Sequence, residues 1–450
     1  MAGGLDRATG KRQWVYPLKV KGRFQRLHRW SGGALQAVLF LLPWVTWDGH
    51  PLLLADLPGR RLFVFGAIFT PRDTFLLVLL GLMAAFGLFF ATTLFGRLWC
   101  GYGCPQTVFL EEWIRPLEEL FEGSRGKRMH RDRGPWTAER IVRKTGKMLA
   151  FGAVSAVVAL SFTSFFVPAR VLWVGDASLG AYGVAGFIGA LLFLDFAWFR
   201  EQFCNYICPY ARFQGALTDE QSWVVAYDIP AGEPRGKRSD PAATGACTDC
   251  GKCSAACPQG IDIRDGYQLE CVNCARCIDA CEGVMGKKGL PGLIRNTTAA
   301  QEAGQKQRWF RGRSIAYGVL LSGLFLVFIV VLQGRHEVEA TVNRAPGSLY
   351  TVDDDGWVRN TFLLHVTNNQ AGSTEASTFT VSVEGLDGVD VVMPPVSLAP
   401  TESSRVPLVL RVPAATVAGA RTLPVRITVT SAFDEVVVET TFKSGTRMEG

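Results

Sequence analysis

Cys247-Thr-Asp-Cys250-Gly-Lys-Cys253-Ser-Ala-Ala-Cys257-Pro258 is the stretch around which this 450-residue chain is organised. Its C-x2-C-x2-C-x3-C spacing returns once, at Cys271, Cys274, Cys277 and Cys281. Three closely spaced thiolates can hold three irons of a cubane cluster, and a fourth thiolate from elsewhere takes the last corner. In two-cluster ferredoxins the fourth Cys of each run serves the other cluster. The pattern therefore predicts a bacterial-type domain with two [4Fe-4S] clusters.

The same rule predicts which cysteines share a cluster. One set is Cys247, Cys250, Cys253 and Cys281; the other is Cys271, Cys274, Cys277 and Cys257. Pro258 follows the first run as the usual pattern requires, whereas Glu282 follows the second, a departure that removes no ligand. Zinc and disulfides are the alternatives. Zinc prefers separated Cys-x2-Cys pairs or Cys with His, and disulfides need an oxidising compartment, so both fit the spacing less well.

Five apolar runs predict transmembrane helices. They cover residues 32–47, 74–95, 148–167, 180–199 and 314–332. The predicted parts are an N-terminal segment 1–31, a four-helix region 32–213, the cluster domain 214–313, a fifth helix 314–333 and a C-terminal domain 334–450.

The net charge of +7 comes from basic residues that flank the apolar runs, which indicates membrane orientation rather than nucleic-acid binding. The positive-inside rule places the N-terminus, the loop 96–147 and the segment 200–313 in the cytoplasm. Loops 48–73 and 168–179 and the C-terminal domain then lie outside. Every cysteine falls on the reducing side of the membrane.

The C-terminal 334–450 region contains no Cys and shows short alternating apolar runs separated by turn residues, such as Phe379-Thr-Val-Ser-Val383 and Val425-Arg-Ile-Thr-Val429. This pattern predicts a β-sandwich, most simply a binding or structural module. The fold class is thus a mixed membrane protein: five transmembrane α-helices, an inserted cytoplasmic ferredoxin domain and an all-β C-terminal sandwich.

A second cysteine pattern, aromatic-C-x-Y-x-C-P, occurs twice at an offset of 104 residues. Its cysteines are Cys100 and Cys104, then Cys204 and Cys208. Thiols four residues apart share a face if the backbone is helical, and thiolates select soft species such as Cu(I), Zn or Fe–S. The four could converge on one site. The alternative is that they are small buried residues at helix ends, next to Pro105 and Pro209.

The chain resembles the cytochrome c oxidase accessory protein family of the CcoG, FixG and RdxA type. The resemblance rests on the two-cluster segment, the five-span layout and two stretches of sequence, Gly96-Arg-Leu-Trp-Cys-Gly-Tyr-Gly-Cys-Pro-Gln-Thr-Val108 and Cys204-Asn-Tyr-Ile-Cys-Pro209. The resemblance implies an immunoglobulin-like C-terminal domain and a bacterial inner-membrane location. It also implies a role in maturation of cbb3-type cytochrome oxidase, by reduction of Cu(II) to Cu(I) on the cytoplasmic side.

The function expected is therefore an electron relay from an unidentified donor through the clusters to copper held by the C-x3-C-P cysteines, a cupric reductase activity. Oxidase subunits or copper-handling proteins are the expected partners, and a homodimer is left open. Two alternatives remain at this stage: a ferredoxin-like subunit that links quinol to a partner reductase, and a non-enzymatic assembly scaffold.

Overall fold

The computed structural model of the chain describes residues 14–47, 50–236, 245–334, 337–370, 375–400, 402–417 and 421–444. The chain forms two compact units. The first comprises residues 1–45 and 75–328, and the second comprises residues 46–74 and 329–450.

Four helices of the described residues are long and apolar enough to cross a membrane. They are Thr74–Phe95 (α2), Ala138–Thr163 (α7), Leu179–Phe199 (α9, Leu179–Leu194, with a π-helical end) and Gly312–Gln333 (α15). Helix α7 begins at Ala138 rather than at the predicted residue 148, and it ends at Thr163. Its charged first turns are tolerated because they pair with carboxylates: Lys147 lies 2.9 Å from Glu122, and Lys144 lies 2.7 Å from Asp132.

The first predicted span, residues 32–47, has a different local structure. Helix α1 covers Arg23–Leu41 and continues into a 3-10 turn at Leu42–Trp44. Pro43 lies in that turn and is unable to donate an i→i−4 hydrogen bond, which explains the end of the α-helix. The first half of α1 is polar, so this helix is not among the four apolar ones.

Short helices fill the segments between the long ones. They are α3 (Leu98–Tyr102), α4 (Pro105–Phe109), α5 (Arg115–Glu122), α6 (Arg125–Arg133), α8 (Ala169–Val174), α10 (Pro209–Leu217), α11 (Ile229–Gly232), α12 (Lys252–Ala256), α13 (Arg276–Met285) and α14 (Ala299–Glu302). π-helical turns occupy Leu110–Ile114, directly after α4, and Phe203–Ile207, within the second C-x3-C-P segment. Such turns are frequent at functional sites.

The cysteine-rich domain consists of one two-stranded antiparallel sheet and two helices. Strand β6 (Trp223–Tyr227) pairs antiparallel with β7 (Ile294–Thr298), and α12 and α13 each follow one cysteine loop. Its core combines Val225, Ile261, Ile278 and Ile294 with several of the cysteines themselves. A core this small that includes its own thiols depends on what those thiols bind.

The second unit is a two-sheet β-sandwich, as the alternating pattern predicts. Its strands are β8 (Val338–Arg344), β9 (Thr351–Val352), β10 (Trp357–Asn368), β11 (Ser377–Glu384), β12 (Asp390–Val392), β13 (Val396–Leu398), β14 (Ser403–Pro413), β15 (Thr422–Thr430) and β16 (Glu435–Lys443). One sheet has the order β12-β14-β10-β8, with β9 on β10, and the other has the order β13-β11-β15-β16. Phe362, Leu364, Leu408 and Ile427 are fully buried in its core because they share inward-facing, period-two positions.

Residues 46–74 of the same unit form two further small sheets. Strands β1 (Thr46–Trp47) and β2 (His50–Pro51) pair with each other. Strands β3 (Leu53–Asp56), β4 (Arg61–Val64) and β5 (Ala67–Phe69) form an antiparallel meander around Leu54, Phe63 and Ile68.

Candidate functional site

The two cysteine loops have the same backbone shape, 24 residues apart in sequence. Asp249 and Asn273 have φ of 48° and 53°, and Gly251 and Ala275 have φ of 65° and 58°. Left-handed conformations are costly for residues other than Gly and persist where the surroundings require them. Successive backbone N–H groups in such loops form concave sites for anions, including iron–sulfur groups.

Each loop lines one cavity, and the fourth thiol around each cavity comes from the other loop. One cavity is lined by Cys247, Cys250, Cys253 and Cys281. The second is lined by Cys257, Cys271, Cys274 and Cys277, with Cys253 also at its edge. The structure thus brings together the two predicted sets of four.

The donor chemistry of these cavities fits [4Fe-4S] clusters. Backbone N–H groups of Gln259, Gly260 and Ile261 hydrogen-bond to the thiol of Cys257, and the N–H of Leu293 donates to Sγ of Cys281 at 3.4 Å. Hydrogen bonds to thiolate sulfurs are one means by which proteins tune cluster potentials.

In the part of the chain that the structure describes, no three His, Cys, Asp or Glu side chains converge tightly enough to hold a single metal ion, and this holds both for the thiols around the two cavities and for the four cysteines of the C-x3-C-P segments. Burial raises the pKa of Cys253 and Cys271 to about 11, so cluster binding must displace their protons.

The two C-x3-C-P segments share one local geometry. In each, the second Cys is extended, with φ and ψ of −70° and 125° at Cys104 and −64° and 112° at Cys208, and the following Pro starts a helix. Pro disfavours helical backbone in the residue before it and suits the first helical position. The N–H of Cys104 donates to Trp99 O at 2.8 Å, and that of Cys208 to Phe203 O at 2.9 Å. The internal repeat is therefore present in the backbone.

The four repeat cysteines come within electrostatic range of one another, although the two halves have different surroundings. The ionisation of Cys100 is opposed by Cys104 and Cys208, and that of Cys204 by Cys104, Cys100 and Cys208. Cys100 is buried and the other three are partly exposed. Tyr102 is buried at 9% exposure, whereas its counterpart Tyr206 is exposed at 51%. The first half is thus covered by protein and the second is not.

The cover over the first half is the loop of the second cluster cavity. Cys100 packs with Val272 and Cys274 in one buried cluster. The hydroxyl of Tyr102 donates to Cys274 O at 3.2 Å. A Cβ on Gly101 would lie 2.8 Å from Val272 O, closer than real Cβ atoms approach, and a Cβ on Gly96 would collide with Trp223 O. These two glycines allow the cluster domain to rest directly on the C-x3-C-P segment.

The thiol of Cys100 hydrogen-bonds with Gln214, on helix α10 of the second repeat. Gln214 is fully buried, and its Nε2 donates to Sγ of Cys100 at 3.3 Å. Tyr210, one turn earlier, packs on the same cluster and hydrogen-bonds to Thr92 of α2. Burial raises the pKa of Cys100 to about 11, with the Gln214 hydrogen bond opposing the rise.

A buried ion-pair network joins the two repeats. Arg200, just before the second repeat, donates to both oxygens of Glu118 at 2.9 and 3.0 Å, and Arg128 donates to Glu118 at 2.8 Å. Burial alone would raise the pKa of Glu118, but the two guanidiniums outweigh it and lower that pKa. Gln106 of the first repeat donates to Arg200 O at 2.9 Å, so the second segment is anchored to the first.

Several residues of the site were not singled out by sequence reasoning. They are Arg97, Gln214, Glu118 and Arg200. Arg97 belongs to the motif around Cys100, so its position was a usable signal. The other three are ordinary polar residues whose role depends on partners about 80 or more positions away.

Family models match three parts of the chain. A 4Fe-4S dicluster domain covers residues 199–299, a 4Fe-4S binding domain covers residues 77–128, and the immunoglobulin-like fold at the C-terminus of FixG covers residues 328–445. The second match includes the first C-x3-C-P segment.

Curated relatives align along most of the chain. Protein RdxA of Cereibacter sphaeroides is 36% identical over 394 residues, which are 83% of each chain. The nitrogen fixation protein FixG of Rhizobium meliloti is 34% identical over 84% of this chain and 80% of its own. Protein RdxB of Cereibacter sphaeroides is 35% identical over 83% of this chain and 82% of its own.

Proposed function

Because this chain belongs to the family of FixG, RdxA and RdxB and is an iron–sulfur electron-transfer protein of membrane type, we propose that its electrons reduce Cu(II) to Cu(I) at the C-x3-C-P thiols. The Cu(I) produced would serve maturation of a cbb3-type cytochrome oxidase, with oxidase subunits or copper-handling proteins as partners.

The proposal assigns one cluster to Cys247, Cys250, Cys253 and Cys281 and the other to Cys257, Cys271, Cys274 and Cys277. When bound, such clusters accept and release single electrons, the number that Cu(II) needs to become Cu(I). The exposure of the cysteines indicates the direction of electron transfer. Cys250 is exposed, whereas Cys271 and Cys274 are buried. A soluble donor would thus reach the first set, and the second set leads inward.

The observation that carries the proposal is the contact of Cys100 with Cys274. A predicted ligand of the second cluster and a thiol of the C-x3-C-P site belong to one buried cluster of side chains, together with Val272. No mobile carrier is needed between them. Thiolates favour Cu(I) over Cu(II), so Cys100, Cys104, Cys204 and Cys208 would pull the reduction forward.

Contacts of α1 support the proposed five spans, with the N-terminus on the cluster side. The N–H groups of Phe24 and Gln25 donate to Asp279 of α13 at 3.3 and 2.8 Å. At the other end, Trp44 lies 6.1 Å, centroid to centroid, from Trp173, which follows α7. Only residues 32–44 of this path are apolar, so they are the part that would lie in the hydrocarbon of the bilayer.

This path lets α1 cross the membrane beside α7. The positive-inside rule then places residues 1–31 and the cluster domain in the cytoplasm and the β-sandwich in the periplasm of a bacterial inner membrane.

The test is anaerobic purification of the cluster-loaded protein, reduction with dithionite, removal of excess reductant and titration with Cu(II). Cluster absorbance and a Cu(I)-specific chelator report the two partners. We expect cluster oxidation in step with Cu(I) formation in the wild type. The Cys100→Ser, Cys104→Ser double variant should keep its iron content and lose Cu(I) formation.

Equal Cu(I) formation by the double variant would overturn the thiol assignment. Bleaching of the clusters by quinol, with no response to Cu(II), would instead support a subunit that links quinol to a reductase. Rescue of oxidase assembly by a variant without Cys247 and Cys271 would support a scaffold.

A further inference from the structure

Arg97 is a buried cation at the junction of the second cluster cavity and the C-x3-C-P site. The residue is 6% exposed, and its Nη2 donates to the carbonyl oxygen of Ala211 at 3.1 Å. Two glycines near it in sequence allow the backbones to approach closely, because Gly96 lies against Trp223 O and Gly101 lies against Val272 O. Arg97 therefore lies where the cluster domain rests on the first repeat.

No carboxylate of the described residues forms an ion pair with Arg97. The other buried arginines beside the clusters are compensated. Arg115 lies 3.1 Å from Glu111, and Arg276 pairs with the same Glu111. A buried charge without an opposite charge is strongly unfavourable, so an unpaired buried guanidinium calls for an anionic neighbour.

Arg97 lies next to thiols of both sites. Cys100 follows it by three residues, and a Cβ on the adjacent Gly96 would lie 3.1 Å from Nδ2 of Asn273, which stands between Cys271 and Cys274. An anionic group held by those two thiols would supply the missing counter-charge.

The first cavity has a different charge balance. Arg264 is its nearest arginine, and it forms ion pairs with both Asp262, at 2.6 Å, and Asp249. The charge of this arginine is thus neutralised, and Lys252, the other cation that lines the first cavity, is exposed to water, whereas Arg97 is buried.

We propose that the positive charge of Arg97 raises the reduction potential of one cluster above that of the other. The cluster concerned is the one bound by Cys257, Cys271, Cys274 and Cys277. Reduction adds one negative charge to a cluster, and a nearby uncompensated cation stabilises that charge in a water-poor interior. The electron then resides next to Cys100. This inference rests on the proposed cluster assignment and not on copper as the acceptor.

The experiment is a potentiometric titration of the cluster-loaded protein, in the absence of copper, followed by electron paramagnetic resonance. Arg97→Gln removes the charge, and Arg97→Lys keeps it while losing the planar guanidinium. Arg313→Gln is the matched control, because Arg313 donates to Ala216 O on the same helix α10 at 3.2 Å but is exposed.

We expect Arg97→Gln to lower the potential of one cluster and leave that of the other unchanged. Arg97→Lys should lie near the wild type, and Arg313→Gln should match it. Unchanged potentials in Arg97→Gln, equal shifts of both clusters, or the same shift in the Lys and Gln variants would overturn the proposal. If Arg97→Gln loses its clusters, Arg97→Met with the Lys variant as reference gives the same comparison. Because the titration contains no copper, its result does not depend on whether the protein reduces copper.

Discussion

The sharpest test of the proposed contact is to add one carbon atom at Gly101. This residue lies in α3 with ordinary helical backbone, so Gly101→Ala introduces no φ strain there. The added Cβ would lie 2.8 Å from Val272 O and 3.1 Å from the carbonyl carbon and oxygen of Asn273. All three are backbone atoms of the cluster loop and are unable to rotate away. The loop must therefore move off the C-x3-C-P segment.

The free-energy cost of the added methyl group can be estimated. Inserting a methyl group into a packed interior costs about 1–3 kcal/mol. If that cost is relieved by opening the contact, the open population rises by roughly 5–150-fold. Cys100 is 8% exposed in the closed contact, so its alkylation rate reports the open population.

The assay is maleimide labelling of the cluster-loaded protein, with peptide mass spectrometry to quantify modification at Cys100. Gly101→Ala should label faster within that range, and it should also reduce Cu(II) more slowly because the second cluster has moved away from the thiol. The control is Gly283→Ala in α13, where an added Cβ meets nothing within 4 Å. A wild-type labelling rate in Gly101→Ala would refute the packing of Cys100 beneath the cluster loop.

Two further predictions address the ligand sets and the frame of the site. Cys281→Ala should remove the same paramagnetic signal as Cys247→Ala, since both line one cavity; a match to Cys271→Ala would mean that each run serves its own cluster. Glu118→Gln should destabilise the protein by about 3–5 kcal/mol in denaturant unfolding, because it leaves two buried guanidiniums without their counter-charge. The control Glu119→Gln breaks only an exposed pair, worth about 0–1 kcal/mol; equal losses in the two variants would contradict the role of the buried network.

Local chemistry made much of this protein predictable. The spacing of the two cysteine runs is a chelate spacing, and the fourth ligand from the other run follows from how such loops pair. The structure places Cys281 beside Cys247 and Cys257 beside Cys271, around two separate cavities. The apolar runs of α2, α9 and α15 predicted those helices closely, because length and composition alone decide whether a helix can span a bilayer.

Local patterns were less reliable where distant partners intervene. Helix α7 extends back to Ala138 because its charged first turns meet Glu122 and Asp132, which belong to other elements. The helical spacing of Cys100 and Cys104 suggested one shared face, but the prolines that follow make Cys104 and Cys208 extended. The first point depends on residues outside the helix, whereas the second could be predicted from the adjacent prolines, which disfavour helical backbone in the residue before them.

The sequence by itself determined the inventory: two cluster-binding loops, a duplicated C-x3-C-P segment, apolar helices and a β-sandwich, because each follows from spacing or periodicity within a few dozen residues. Only the tertiary structure decided how the inventory connects. Cys100 meets Cys274 across more than one hundred and seventy positions of sequence. Arg97 is buried nearby and forms no ion pair with a carboxylate of the described residues. Gly96 and Gly101 matter for the same reason, since a missing side chain has an effect only where another backbone comes close enough to occupy its place.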